Sequence, residues 1–259
     1  MNPAYAYIYD DFLADRRYQD IVSSIETRLS SMGLNGKVGR LAMFRSAREL
    51  VEGFVDQGAK NIIVVGNDDT LNKVMWFLPD LPVVAGYIPV AEPAEIATLL
   101  GVPIGLNACE AIGARLIESL DVGKLGDRYF LTQAVFENTT ARLEVDSKYS
   151  LSLIKGGKIS IRNLGGINQN GYSLANAKDG LLDIVITPHD DESLSNRFFK
   201  KLIKKKPPQT RILLDKGEII STQPTEAQAD RFSVSGFKFS VQAVPGKLRI
   251  ITGRMRRLK

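Results

Sequence analysis

The sequence is poor in the residues that cross-link a chain or anchor it. It contains a single cysteine, Cys109, among 259 residues, so it cannot form an internal disulfide. No apolar run approaches the roughly 18 residues that a membrane-spanning helix needs. The first residues also lack the basic and apolar regions of a signal peptide. Without an export signal or a disulfide, we expect a cytoplasmic protein.

Histidine is equally scarce, which narrows the chemistry. His189 is the only histidine; it follows a proline and precedes two aspartates, so we expect it in an exposed loop. This excludes a His-based metal centre and a Ser-His-Asp triad. Cys109 lies in an apolar helical pattern and is expected in the core.

Basic residues are the minority charge in the first half of the chain, and acidic residues are the minority charge in the second half. Residues 1–120 contain 10 Lys and Arg against 15 Asp and Glu, whereas residues 121–259 contain 24 against 14. Such asymmetry predicts two units with different surfaces. The basic half would suit an anionic membrane surface or lipid headgroups, and an ordinary solvated surface is the other interpretation. No motif supports a specific nucleic-acid partner, and the sequence leaves a homodimer open.

Strand and helix patterns alternate over residues 1–121, which predicts an α/β domain with a parallel, doubly wound sheet. Residues 122–259 contain short β-rich runs, which predict an antiparallel β-sandwich domain. One helix, at about 192–205, interrupts these runs. We expect the basic tail, 254–259, to be disordered. The remaining assignments are strands at 4–9, 39–43, 62–65, 83–90 and 129–135 and helices at 14–32, 46–57, 93–100 and 108–120.

The segment 66–74, GNDDTLNKV, lies between the 62–65 strand and a predicted helix. A turn that leads from a buried strand into a helix is the usual position of a phosphate-binding loop. This segment resembles the GGDGTLNEV loop of the diacylglycerol kinase catalytic-domain family, which includes bacterial lipid kinases and sphingosine kinases.

Three further segments resemble that family in the same order. Residues 88–103 align without gaps to its IPxGTxNDFARxLGIP segment, 178–184 to DGLLDV and 244–250 to PGALRV. The resemblance covers nearly the whole chain and implies the two-domain diacylglycerol kinase and NAD kinase-like fold. It also implies transfer of the ATP γ-phosphoryl group to a lipid hydroxyl, with magnesium, in the cleft between the domains. The last two segments favour a lipid kinase over an NAD kinase.

The resemblance assigns candidate roles to individual residues. Asp68 holds the family's acidic position in the loop and is the candidate catalytic residue, while Asp179 matches its metal position. The family's presumed general base lies about fifteen residues before the final Pro-Gly, which corresponds to Phe232. The candidate ATP-binding residues are Gly66, Asn67, Asp68, Asp69, Thr70, Glu92 and Glu95.

Several of these positions depart from the family pattern. Asn67 and Asp69 replace glycines; both residue types tolerate left-handed geometry, so the turn itself is expected to survive. A carboxylate at Asp69, about 4 Å from a phosphate oxygen, would cost about 4 kcal/mol at an effective dielectric near 20, unless magnesium bridges the two. Phe232 cannot accept a proton, and loss of a general base costs a factor of about 10² to 10⁴ in rate.

The second loop has lost the family's glycine, threonine and asparagine. Residues 92–95, Glu-Pro-Ala-Glu, read as a helix start with Pro93 in the first turn. For Asp179, an Asp-Gly turn is the alternative to a magnesium site completed by carbonyls near Asn176 and Leu181.

The segment 197–206 interleaves aromatic and basic residues on a predicted helix. It would suit peripheral binding at the inner membrane surface, and a core-packing helix with solvated lysines is the alternative. The candidate membrane-facing residues are Lys200, Lys201, Lys204, Lys205 and Lys206.

Two functional hypotheses follow. The first is a divergent lipid kinase-like protein that has impaired or lost ATP-dependent phosphoryl transfer and retains a binding role. The second is an active lipid kinase that uses ATP and Mg²⁺ through a rearranged acidic site formed by Asp68, Asp69 and Glu95.

Overall fold

A computed structural model describes residues 4–41, 46–145, 149–153, 156–166, 170, 173–189 and 209–258. Within these residues the chain forms five α-helices and fourteen β-strands. The helices are α1 Gln19–Ser31, α2 Ala47–Asp56, α3 Asp68–Met75, α4 Glu95–Leu100 and α5 Ala108–Ala114. The strands are β1 Tyr5–Tyr9, β2 Gly36–Arg40, β3 Asn61–Gly66, β4 Val84–Pro89, β5 Leu116–Leu125, β6 Arg128–Phe130, β7 Gln133–Thr139, β8 Arg142–Val145, β9 Tyr149–Ser152, β10 Gly157–Arg162, β11 Leu182–Pro188, β12 Thr210–Leu214, β13 Lys216–Ala229 and β14 Phe232–Thr252.

The first four strands form a parallel sheet in the order β4-β3-β1-β2. Every residue of β1, β3 and β4 is buried. Strands buried on both faces are typical of parallel sheets covered by helices, which is why these segments are continuous apolar runs. The α/β character predicted for the N-terminal part is confirmed.

The strand β14 connects this parallel sheet to the antiparallel strands. Its first half pairs with β13 and its second half with β5, both antiparallel, while Ile250 lies beside Ala85 of β4 in parallel. Beyond β13 the order continues through β7, β10 and β11 to β12, and all the neighbouring pairs there are antiparallel. The result is one mixed hydrogen-bonded network.

Two hydrophobic cores flank this network. The first core is centred on β1, β3 and β4 and also includes Leu248, Ile250 and Ile251 from the end of β14. The second core is formed by the antiparallel strands and includes Phe136, Phe239 and Val241. Two cores fit the expected two-part layout, and the boundary at residues 121 and 122 stays a prediction.

The predicted helix at 108–120 is wrong in its second half. The helix α5 ends at Ala114, and Arg115 adopts left-handed backbone geometry with φ of 52°. From Leu116 the chain is β5, which pairs with β14. The spacing of the apolar residues beyond Ala114 fits a helix as well as a strand, and strand pairing decides between them.

Other boundaries differ less. The predicted strand at 39–43 overlaps β2 only at residues 39 and 40, because β2 begins at Gly36 and ends at Arg40. Residues 42 and 43 lie outside the described residues. The predicted strand at 129–135 is divided into β6 and β7 by a bend at residues 131 and 132. Pro93 lies before α4, which starts at Glu95, so it is not in the first helical turn.

The C-terminal tail is ordered through residue 258, contrary to expectation. Gly253 N–H donates to Leu100 O at 2.9 Å, and Arg257 N–H donates to Leu99 O at 2.8 Å. Arg256 also forms an ion pair with Glu118 at 2.7 Å. The tail is therefore held by the end of α4 and by β5.

Cys109 is buried and His189 is exposed, as predicted. The predicted helix at 192–205 and the candidate membrane-facing lysines, 200–206, lie outside the described residues. No helix in the described part of the chain combines the length and the apolar character that a bilayer crossing requires.

Candidate binding cleft

The segment 66–70 forms the N-terminal cap of α3. Asn67 Oδ1 accepts a hydrogen bond from Thr70 N–H, and Thr70 Oγ1 accepts one from Asn67 N–H, both at 3.0 Å. This reciprocal arrangement is a capping box, which satisfies two backbone donors at a helix start. Asn67 has extended geometry, with φ of −132°, so the expected left-handed turn is not needed at this position. A side chain on Gly66 would collide with Thr70, which accounts for the retained glycine.

The second loop covers the first. Asp68 N–H donates to Pro93 O at 2.8 Å, and Asn67 Nδ2 donates to Glu92 O at 3.2 Å. The backbone N–H groups of Asn67, Asp68 and Thr70 therefore all have partners inside the protein. The second loop contributes carbonyl groups here, whereas the Glu92 and Glu95 side chains are exposed.

Asp68 is a buried carboxyl group with structural partners. Tyr87 OH donates to its Oδ1 at 3.1 Å, and Ile96 N–H donates to its Oδ2 at 2.9 Å. It therefore joins the start of α3 to the start of α4. Burial raises the pKa of Asp68 to about 6, although these hydrogen bonds act in the opposite direction.

Asp10 directly follows β1 and is hydrogen-bonded to two side chains of α3. Its Oδ2 accepts hydrogen bonds from Thr70 Oγ1 and from Lys73 Nζ, each at 2.7 Å. Burial alone would raise the pKa of Asp10, but the bonds from Lys73 and Thr70 and the Lys73 charge hold it below its ordinary value. The GGDGTLNEV loop has a glutamate at the position of Lys73. A loop with that sequence could not form this ion pair with Asp10.

Asp69 connects the loop to the antiparallel part of the protein. Its Oδ2 lies 2.8 Å from Arg231 Nη2, and both side chains are partly exposed. Arg231 belongs to the two-residue turn between β13 and β14. The preceding residue, Asp230, fixes that turn because its carboxylate accepts hydrogen bonds from Leu131 N–H at 2.7 Å and from Gln133 N–H at 3.1 Å.

Phe232 lies beside Arg128 of β6. The Arg128 Cζ atom is 5.5 Å from the centre of the Phe232 ring and 5.2 Å from the centre of the Trp76 ring. The guanidinium thus has two aromatic neighbours at cation–π distances. The residue that the resemblance matched to the family's general base is therefore a ring that contacts a cation, and that match stays a prediction.

A cavity of about 680 Å³ between α3, the segment after β1 and the β13–β14 turn is lined in part by Asp10, Lys73, Arg128, Arg231 and Phe232. Its lining does not include the loop residues Asn67, Asp68, Asp69 and Thr70. A volume of this size is typical of small-molecule sites. The lining combines aromatic and apolar groups with two acidic and three basic side chains. The lining residues are Asp10, Asp11, Phe12, Leu41, Ala47, Asn72, Lys73, Trp76, Arg128, Arg231 and Phe232.

The polar groups of the loop have partners inside the protein. The three N–H groups at positions 67, 68 and 70 have internal acceptors, both oxygens of Asp68 have donors, and Asp69 has a cationic partner. In the described part of the chain, no three His, Cys, Asp or Glu side chains are grouped so that they could hold a metal ion.

Asp179 is exposed, and its Oδ1 accepts a hydrogen bond from Leu181 N–H at 3.0 Å. This is the Asp-Gly turn of the alternative interpretation, and a magnesium role for Asp179 stays a prediction. Sequence reasoning missed Asp121, which is buried and accepts hydrogen bonds from Gly180 N–H and Gly246 N–H at 2.7 and 2.8 Å. It had no motif signal, because its two hydrogen-bond partners lie 59 and 125 residues away in the chain.

Neither a protein-family model nor a curated protein sequence matches the chain. Among solved structures, the chain is similar to the crystal structure of a diacylglycerol kinase from Bacillus anthracis str. Sterne. The identity is 18%, the alignment covers 98% of each chain and the TM-score is 0.77. Two further structures from the same organism, each described provisionally as a diacylglycerol kinase, are 15% and 16% identical with TM-scores of 0.78 and 0.77. They cover 98% of this chain and 96% and 98% of their own. The chain therefore has the diacylglycerol kinase-like lipid kinase fold, as the order of its four motifs predicted.

Proposed function

We propose that this protein uses a lipid kinase fold for binding and has lost ATP-dependent phosphoryl transfer to a lipid hydroxyl. The main support for the proposal is that the backbone N–H groups of the loop donate hydrogen bonds to acceptors inside the protein. Phosphoryl transfer depends on positioned donors and cations around the phosphates. Here the corresponding N–H groups bind Thr70, Asn67 and Pro93 instead.

The charge and the chemistry of the cleft support the same proposal. Asp69 replaces a glycine with a carboxylate, and its partner Arg231 is thereby occupied. The general-base position contains Phe232, which has no proton acceptor. Each change alone would slow a kinase, and their combination leaves neither a phosphate cradle nor a base.

A transfer assay tests this proposal. Purified protein is incubated with γ-labelled ATP, Mg²⁺ and mixed micelles that contain diacylglycerol, other lipid alcohols or a total lipid extract. We expect no labelled lipid above the level of a heat-denatured sample. Labelled lipid that disappears on chelation of Mg²⁺ would overturn the proposal.

The second candidate is an active kinase with a rearranged acidic metal site. It is favoured by the partial exposure of Asp69 and Arg231, because an ion pair of this kind is weak enough to open. Asp69 would then bind Mg²⁺ together with Asp68 and Glu95. This candidate predicts that Asp69→Asn abolishes transfer, whereas the first candidate predicts no transfer by either protein.

The basic segment 197–206 supports a peripheral membrane role as a further part of the proposal. We expect salt-sensitive binding to vesicles that contain anionic lipid, and no binding to vesicles of phosphatidylcholine alone. Replacing Lys200, Lys201, Lys204, Lys205 and Lys206 by Gln should weaken that binding. Equal binding by the variant would remove this role.

A further inference from the structure

We propose that the cleft binds a small organic monocarboxylate, whose carboxylate pairs with Arg128 and whose apolar body lies against the aromatic lining. The inference rests on the proposed function, since a cleft that held ATP would not be available to such a ligand. It names the ligand class that the binding role requires.

The charges of the lining are balanced except at two positions. Lys73 is paired with Asp10, and Arg231 is paired with Asp69. Within the described residues Arg128 has no carboxylate partner. Its guanidinium lies beside the rings of Trp76 and Phe232. Asp11 is the remaining charged group of the lining and is exposed.

This balance favours a ligand with one negative charge. A carboxylate can form two parallel hydrogen bonds with a guanidinium, which is the strongest pairing that Arg128 can offer. Among the described lining residues only Arg128 offers an unpaired cation, so a polyphosphate would leave most of its negative charges unpaired there. Asp11 would also repel several negative charges more strongly than it repels one.

Arg128 is also held in position for such a ligand. The rings of Trp76 and Phe232 lie 5.2 and 5.5 Å from its Cζ atom, so the exposed guanidinium has two aromatic contacts before any ligand arrives. A fixed side chain loses less conformational freedom on binding, which raises affinity.

The rest of the cavity is suited to an apolar body. Phe12, Leu41, Ala47, Trp76 and Phe232 all contribute to the lining. The volume of about 680 Å³ accommodates an aromatic ring or a medium-length alkyl chain together with the carboxylate. Aromatic and aliphatic acids share this chemistry, so the experiment includes one of each.

Trp76 gives a direct signal, because it is the only tryptophan in the chain and lies in the cleft. Its fluorescence is measured during titration with 3-phenylpropionate, with octanoate and with the neutral 3-phenylpropanamide. We expect saturable binding of at least one acid and binding of the amide that is weaker by about tenfold or more. Equal binding of acid and amide, or no saturable binding of either acid, would overturn the inference.

Two variants locate the site. Arg128→Met removes the charge and keeps an apolar stem, and we expect it to weaken acid binding by about tenfold or more. Phe232→Glu places a carboxylate beside Arg128 and should have the same effect. Arg142→Met, at an exposed arginine of β8, is the matched control and should bind the acid as the unchanged protein does. Unchanged acid affinity in both cleft variants would contradict the inference.

A titration with ATP and Mg²⁺ in the same assay separates the two proposals. Micromolar ATP binding would overturn the inference, because the cleft would then hold a nucleotide, and the transfer assay would still decide whether phosphoryl transfer is lost. If neither ATP nor the acids bind, only the inference fails. Circular dichroism of each variant confirms that it is folded before its affinity is compared.

Discussion

The side chains at the start of α3 bind the protein's own groups. Asn67 caps the helix, Asp68 receives two hydrogen bonds and Asp69 pairs with Arg231. In a kinase these positions would face phosphate and metal. Because these side chains have partners inside the protein, replacing any of them should change the free energy of unfolding. A catalytic role alone would not predict such a change.

The first prediction at this scale concerns Asp68, whose folded pKa of about 6 lies above its ordinary value of 3.8. The folded state then holds the proton more tightly than the unfolded state. The free energy of unfolding should therefore fall as the pH rises from about 4 to about 6, by about 2 to 3 kcal/mol.

Comparison with Asp68→Asn isolates this contribution. The amide oxygen can accept one of the two hydrogen bonds, and the variant has no charge to bury. Urea unfolding of both proteins is measured from pH 4 to pH 8. As the pH rises, the free energy of unfolding of the unchanged protein should fall relative to that of the variant. A shift in favour of the unchanged protein would mean that Asp68 is stabilised as the anion, as a metal ligand would be.

The second prediction concerns Lys73, which pairs with buried Asp10. Lys73→Met should lower the free energy of unfolding at pH 7 by about 1 to 2 kcal/mol, because a buried carboxylate loses a charged donor. The folded pKa of Asp10 lies below its ordinary value, so this contribution exists above that value and is lost as the pH falls through the folded pKa.

Urea unfolding at pH 7 and near pH 3 measures this difference. Lys238→Met is the control, because Lys238 forms an ion pair with Glu218 in which both side chains are exposed. A cost for Lys73→Met that stays constant at both pH values would contradict the pairing with ionised Asp10.

At the scale of elements, the two loops after β3 and β4 close on each other. Asp68 N–H reaches Pro93 O, and the Asp68 carboxylate reaches Ile96 N–H at the start of α4. The two helix starts are thus capped by residues of the first loop. Each loop therefore supplies hydrogen-bond partners to the other.

The third prediction tests whether these contacts exclude phosphate. The double variant Asn67→Gly with Asp69→Gly restores the glycines, removes the acceptor of Thr70 N–H and eliminates the Asp69 charge. We expect it to bind ATP with Mg²⁺ more tightly than the unchanged protein in a calorimetric titration, and to lose roughly a few tenths of a kcal/mol of stability with its cap.

Asn67→Ser is the control for this variant, because serine keeps the capping acceptor. It should not gain ATP affinity. If the double variant binds ATP no better than the control does, neither the occupied Thr70 N–H nor the Asp69 charge is what prevents binding.

Local signals predicted part of this architecture. The apolar runs of β1, β3 and β4 and the Ser46 cap of α2 can be read from the sequence, because each depends on neighbouring residues. The end of α5 could not, since Arg115 closes it with an unusual backbone angle and β5 is selected by pairing with β14.

In the candidate site, too, features that depend on neighbouring residues could be predicted and contacts between distant residues could not. The loop at 66–74 was found by its resemblance, and its departures were visible in the sequence. The ion pair between Asp69 and Arg231 and the ring contacts of Arg128 were not, because each joins residues far apart in the chain. The buried carboxyl of Asp121 had no local signal for the same reason.

At the scale of the whole molecule, β14 and the tail after it hold the two cores together. The strand begins in the second core, continues past Gly246 and ends beside β4 in the first core. The tail then returns to the end of α4, and Ser173 N–H donates to Arg257 O at 3.2 Å. Contacts from both parts of the chain therefore converge on the last residues.

The fourth prediction follows from this convergence. Removal of residues 254–259 should lower the free energy of unfolding by about 2 to 3 kcal/mol, because it eliminates two backbone hydrogen bonds of Arg257 and the ion pair of Arg256 with Glu118. Differential scanning calorimetry measures the loss. Removal of residue 259 alone is the control, and equal melting temperatures of the two truncated proteins would contradict a structural role for the tail.

The central claim is that this fold no longer binds ATP for catalysis, and calorimetric titration of the purified protein with ATP tests it most directly. The titration is performed with Mg²⁺ and with a chelator in its place, and it requires no knowledge of the lipid. We predict no binding heat up to millimolar ATP under either condition, because the loop donors and both aspartates have internal partners. Magnesium-dependent binding in the micromolar range would contradict this account and would favour an active kinase with an acidic metal site.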